Sequence, residues 1–401
     1  MLSLLWLLLA TTPAAPTPSS ETPPQDVEPA FLAFATDLRD SLQAGDPSVL
    51  DERVDVERLL QRATRDVPAS PALLDALLGD VRETGLKLGG VLLSSETGTR
   101  RVHLLRVEPH QGAPRALLRV LSSGSLNYFA FELARDERGR VVIVDVYPYM
   151  AGELLSESLR RVYLLAALEK APAAGKKRTA RERGVMDNMP RFERIHRLLD
   201  EDRYQEAVDE LSLLPPSVLA EKSFQLIRLK ALMRLGGPRY QRALRAYEKA
   251  FPGDAAMDLL ALDDSRLDDK PQEKMRVLDR LDRKVGGDPY LHYLRAQVKF
   301  QQDDPVAAKR FLLEAIQGDP TLYEPYIELF SLAIGEGDYA QAILVLEGLE
   351  RGARVDVMNL EVSDAGFLAS PEYRQWLERQ NRRGRYRLLR PKTPLPTGGS
   401  L

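Results

Sequence analysis

The chain has 401 residues, 44% of them apolar and 29% charged, and 56 Lys+Arg set against 59 Asp+Glu leave a net charge of −3. That length exceeds what one core serves and implies two domains of ordinary size, while the near-neutral balance argues against nucleic acid or a membrane surface as partner of the whole molecule. Cysteine is absent, which excludes disulfides, thiolate catalysis, cysteine-ligated zinc and a lipidated N-terminal cysteine.

Residues 1–10 (MLSLLWLLLA) form an uninterrupted apolar run, followed by a Pro/Thr/Ser/Ala-rich stretch to about residue 24. The run is too short to span a bilayer and has the length of a signal-peptide h-region, with Ala14–Ala15 as small residues for cleavage. No Lys or Arg precedes Arg39, so the usual basic n-region is missing, and a short uncleaved anchor is the other reading of residues 1–26. The expected location is exported: periplasmic or otherwise associated with a bacterial cell envelope.

From 27 to 169 helices come first and strands follow. Phe31, Phe34, Leu38 and Leu42 recur at 3–4 spacing and predict an amphipathic helix over 29–43. Asp46-Pro47 breaks it, and Val54, Leu59 and Leu60 predict one further short helix. Ser70-Pro71 is an N-cap with proline at the first helical position, opening a third helix through Leu74, Leu77, Leu78 and Val81. Four β-rich runs then follow at 102–107, 116–121, 128–134 and 141–149, separated by short turn-rich segments that suit an antiparallel meander. A closing helix, 153–169, carries Leu155, Leu159, Val162, Tyr163 and Ala166 on one stripe. Helices on one face of a four-stranded antiparallel sheet make an α+β domain. The order of elements resembles the cone-shaped folds of the nuclear transport factor two superfamily, in architecture only.

Residues 170–188 are basic and nearly devoid of apolar side chains, a linker composition. Beyond it an alanine recurs. Ala207, Ala243, Ala308 and Ala342 each have Leu or Tyr four residues on and Ala or Leu seven on, and Lys274 stands in the alanine's place in the third unit. The intervals are 36, 31, 34 and 34 residues, the period of stacked helix hairpins. Paired helices approach to about 8–10 Å, and closest where the crossing residue is small.

The clearest unit, 323–354, places Tyr326, Leu329, the turn Gly337-Asp338-Tyr339, Ala342, Leu346 and Leu349 in order, and the unit before it ends Asp319-Pro320. In these residues the segment 189–354 resembles the tetratricopeptide repeat family. It departs from the family at Phe330, where a glycine is usual, and at Lys274. The resemblance implies an all-α solenoid, closed by a capping helix over 355–380 (Ser370-Pro371, then Leu368, Tyr373, Trp376 and Leu377 as covering residues), with a basic tail at 381–401. It also implies that the first helix of each hairpin lines a concave groove for a protein or peptide partner. Carrying the groove positions over gives His292, Lys299, Glu324 and Ser331, which lack the lysine/asparagine set that some members use to hold a terminal carboxylate.

Motifs of chemistry are sparse. The four histidines (His103, His110, His196, His292) never stand three or four residues apart, and HExxH, GxxxxGK and GxGxxG are absent, so no metal and no cofactor is expected. The last strand is the best candidate for a small-molecule site. Val142, Val144 and Val146 alternate with Ile143, Asp145, Tyr147 and Tyr149, which predicts one apolar face and one face carrying a carboxylate and two phenols. Arg106 and Arg119 stand mid-strand next door. Asp145, Tyr147, Arg106 and Arg119 therefore define a candidate pocket of the first domain; a solvated face, or a buried Asp–Arg pair that fixes register, is the plainer alternative. Five basic residues in 172–183 and seven in 378–392 give two cationic segments, suited to weak contact with anionic membrane surfaces or to solvent. The reading that results is a non-enzymatic scaffold that holds a protein partner on its repeats; the alternative is a small-molecule-binding or enzymatic first domain that the repeats recruit.

Overall fold

The computed structural model describes residues 28–65, 100–122, 125–160, 187–262, 267–360 and 362–382. The expected leader, the helix opened by Ser70-Pro71, the body of the linker, most of the 153–169 helix and the tail beyond 382 lie outside these residues. The chain divides into two compact units, Met1–Ser265 and Arg266–Leu401.

The first unit opens with α1 (Pro29–Gln43), α2 (Ser48–Arg53) and α3 (Val56–Thr64). The single short helix expected after Asp46-Pro47 is in fact two. Val54 and Asp55 leave the helical conformation between them: Val54 forms a parallel bridge with Ile143 and Asp55 N donates to Ile143 O at 2.8 Å. This joint covers the free edge of the last strand, which otherwise offers unpaired backbone groups. Four strands, β1 (Arg100–His110), β2 (Ala113–Ser122), β3 (Ser125–Arg135) and β4 (Val141–Pro148), form one antiparallel sheet in the order β1-β2-β3-β4. Phe31, Phe34, Leu38, Leu50 and Leu59 from the helices bury against Leu118, Phe131 and Ile143 of the sheet.

Two β-bulges correct the simple alternation expected from the sequence. In β1 the register shifts between Leu104 and Arg106, and in β4 Glu132 pairs with Asp145 while Leu133 pairs with Ile143, leaving Val144 as the extra residue. Each bulge reverses the phase of its strand. Val107 and Val146, not Arg106 and Asp145, thereby join the helix-facing core. Ile143 belongs to that core too, and not to the face of Asp145 and Tyr147 as the period of two suggested. The far face is no solvated surface either, since Leu117, Arg119, Tyr128, Ala130 and Asp145 are all buried there.

The same unit continues with α4 (Met189–Asp200), α5 (Tyr204–Ser212), α6 (Pro216–Leu219), α7 (Lys222–Leu235), α8 (Gly237–Ala250) and α9 (Ala255–Leu262). Helices α4 and α5 pack together, α5 on α7 and α7 on α8, with Ala207 fully buried and Ala243 nearly so.

The second unit holds α10 (Pro271–Val285), α11 (Pro289–Gln301), α12 (Pro305–Gly318), α13 (Glu324–Gly335), α14 (Tyr339–Gly352), α15 (Ala365–Ala369) and α16 (Pro371–Arg382). From α10 to α14 each helix packs on the next. Aspartates cap three of them: Asp288 accepts from Tyr290 N, Asp304 from Ala307 N and Asp338 from Gln341 N, at 2.9–3.0 Å, satisfying donors that a helix start leaves open. Ala308 and Ala342 have 0% exposure. Glycines mark the closest approaches: a Cβ on Gly348 would stand 2.9 Å from the Tyr326 ring, and one on Gly318 2.6 Å from Pro289. Where the third repeat lacks its alanine, Lys274 turns to Asp268 at 2.7 Å. Leu278 and Leu281 still bury in full, and Arg295 of α11 reaches back to Asp279 and Asp282 of α10 at 3.1 and 2.8 Å. Phe330, the departure from the glycine pattern, meets Phe367 edge-on at 5.4 Å. Phe367 and Trp376 are buried aromatic residues of the terminal segment, and Leu368, expected to cover the end, is 39% exposed.

Candidate functional site

Asp145 lies on β4 with 1% exposure. Its Oδ1 accepts from the backbone N–H groups of Val146 (2.9 Å) and Ser156 (3.1 Å), and its Oδ2 accepts from Ser156 Oγ at 2.5 Å and from Arg62 Nη1 at 3.3 Å. Arg62 also donates to Glu132, the cross-strand neighbour of Asp145, at 2.5 Å. Burial raises the Asp145 carboxyl above the ordinary carboxylate range, against the pull of the Ser156 and Val146 hydrogen bonds, and the Glu132 charge adds to the rise. Burial alone would lower the Arg62 guanidinium; Glu132 and Asp145 outweigh it and hold the cation. The carboxylate is thus spent on tying the segment 149–160 and α3 to the strand.

The other candidates of this domain separate. Arg106 pairs with Glu108 at 2.8 Å. Arg119 stands buried in mid-β2, opposite His103 and Tyr128. Tyr147 and Tyr149 meet edge to face at 5.3 Å. Burial pushes the Tyr147 phenol well above its usual value, and the charge of Asp254 raises it further.

Asp254 belongs to a cluster that the sequence reading did not single out. Lys222, the first residue of α7, is buried with its Nζ 2.5 Å from Asp254 Oδ2, and Tyr247 OH donates to the same oxygen at 2.6 Å. The ammonium also donates to the carbonyl of Gly152, beyond β4, and lies 5.9 Å from the centre of the Phe251 ring. Gly152 has φ +70°, and a Cβ there would sit 2.6 Å from Lys222 Nζ. Met150, two residues earlier, packs against the cluster built by α7, α8 and α9. The loop after β4 is therefore clamped into the helical hairpins by a buried ion pair. One sequence signal existed: a lysine at the first position of an apolar helix opposes the helix dipole and is retained for a partner elsewhere.

In the second unit the four groove candidates divide into pairs. His292 turns toward α12, with Nδ1 3.1 Å from a Glu314 oxygen and its ring 6.1 Å from Phe311. Lys299 donates to Gln302 at 2.9 Å, at the C-terminal end of α11. Glu324 and Ser331 lie on α13, half-buried and exposed respectively. On α11 burial raises the Tyr293 phenol, and the charges of Tyr290, Glu328 and Glu324 add to the effect. Gln297 donates to Tyr293 OH at 2.6 Å, and the Tyr290 and Tyr293 rings lie 5.5 Å apart. Tyr290, Glu324 and Glu328 thus make a patch of α11 and α13 around Tyr293, which is itself buried at 8% exposure.

Among the described residues no group of three or more His, Asp or Glu is placed to hold a metal ion, and no helix is long and apolar enough to cross a membrane. No family model, curated protein or solved structure matches the chain.

Proposed function

We propose that the chain is an exported interaction scaffold of the cell envelope, whose helix hairpins stack as a tetratricopeptide-like solenoid and hold a polypeptide partner along their first helices. The reading rests on one observation above others: the recurring alanines Ala207, Ala243, Ala308 and Ala342 are buried at 7% exposure or less, as close-packed hairpins require. Glu324 and Glu328 of this patch suit a partner segment with basic side chains, whose charge they complement. Chemistry at Asp145 has less support, because both carboxylate oxygens are already engaged.

A photo-crosslinking residue tests this reading in the full-length protein. Placed at Ser331 or at Gln297, it is expected to trap the same partner from envelope extracts, whereas placed at Arg310 of α12 it is not. Glu324→Lys should reduce the yield severalfold. Equal labelling from all three positions, or none, overturns the assignment of this face.

A further inference from the structure

A cavity of about 310 Å³ lies between α5, α7 and α8, and Arg228, Arg239, Arg242, Asp209 and Ser212 contribute to its wall. It lies in the first unit and draws nothing from the α11–α13 patch. Three arginines of α4 and the turn after it have carboxylate partners: Arg191 and Arg194 share Glu210, and Arg203 takes Glu201 and Glu206. Among the described residues the three cavity arginines have none. The Nε of Arg228 is buried and meets no acceptor. Asp209 keeps its charge while its carboxylate accepts from Gln205 at 2.8 Å, and it offsets one of the three guanidiniums. Ser212 donates its hydroxyl proton to Val208 O at 2.8 Å.

A second feature adds to the cations. Helix α8 runs 14 residues, begins after Gly236 with no side-chain cap, and carries Arg239 in its first turn. The aligned peptide dipoles leave the start of the helix electropositive beside Arg239.

From this geometry we infer that the cavity is a binding site for a phosphomonoester. Three guanidiniums less one carboxylate leave a balance of two positive charges, which a dianion matches and a carboxylate does not. Planar, multiply donating guanidiniums suit an oxyanion whose oxygens radiate from one centre. The phosphate arrives on a small metabolite or on a phosphorylated side chain of a polypeptide; the chemistry of capture is the same.

The test is calorimetric titration of the full-length protein with inorganic phosphate, O-phosphoserine and a phosphoserine peptide, at constant ionic strength, with acetate as control. Phosphate and its esters are expected to bind at one site and acetate at least about tenfold more weakly. Arg242→Glu, on the exposed side of α8, should lose about tenfold or more in affinity with its thermal midpoint unchanged, and Arg228→Met should lose as much. Asp209→Asn should tighten binding. A phosphopeptide that binds about tenfold tighter than O-phosphoserine assigns the site to a phosphorylated polypeptide; equal affinities assign it to a small phosphate ester. Acetate binding as well as phosphate does, or phosphate affinity unchanged in both arginine variants, overturns the proposal.

Discussion

Asp145 shows how a side chain with the look of a catalytic group becomes a fastener. Removing it by Asp145→Ala strands the Val146 and Ser156 N–H groups and leaves Arg62 with Glu132 alone, and the expected loss is about 2–4 kcal/mol in urea unfolding. Ser156→Ala, which removes one donor and leaves the backbone bonds, should cost about 1 kcal/mol. Asp145 could be picked from the sequence, because a carboxylate in a run of valines is conspicuous. Its partners could not, because Arg62 and Ser156 reach it only after a bulge has turned it away from the helices. A second residue makes stability depend on pH. Burial, with Arg115 adding to it, lowers the His110 imidazole below its ordinary 6.5, against the charges of Glu132 and Glu108. The unfolded chain then binds a proton below pH 6.5 that the folded chain refuses, so this contribution to stability falls as pH drops from 6.5 through the folded value. His110→Gln should flatten that part of the pH–stability curve relative to the parent, a difference that urea midpoints between pH 5 and 7.5 would reveal.

At the level of elements, both helical spacing and strand alternation located segments well, and their errors have physical causes. The four strands fall where the β-branched runs lie, and each is longer or shorter by a few residues because pairing, rather than composition, ends a strand. The apolar period placed α1 correctly. It merged α2 with α3, since the break at Val54 comes from a bridge to Ile143 more than 80 residues away, which no local pattern encodes. The alanine register was legible throughout the hairpins because overpacking there is costly. On α14, Ala342→Leu should cost about 1–3 kcal/mol by thermal or urea unfolding, whereas Ala340→Leu, two residues away and exposed, should stay within about 0.5 kcal/mol. Equal effects at the two positions would mean that the small residue is not what sets the helix separation. In the candidate patch, Glu324 and Ser331 came from the family resemblance alone; Tyr290 and Tyr293 were not singled out, because aromatics at helical spacing look the same whether they serve the core or a surface.

Across the whole first unit, the clamp between Lys222, Asp254 and Gly152 joins the sheet to the hairpins. A buried pair stripped of one partner leaves an uncompensated charge, so Lys222→Met should cost about 3–5 kcal/mol. Gly152→Ala should destabilise as well, since it meets both the left-handed backbone and the ammonium. Hydrogen exchange in that variant is expected to quicken in the loop after β4 before it does in the strands. The two ends of this clamp are 70 residues apart in the chain, and a ribosome adding about 5–20 residues per second needs roughly 4–14 s to make that stretch. The sheet therefore finishes its own hydrogen bonding well before its fastening lysine exists, and for that interval the loop at 149–154 waits undocked. Nascent chains arrested near residue 210 should be nicked by protease at that loop, and chains arrested well past residue 254 should resist.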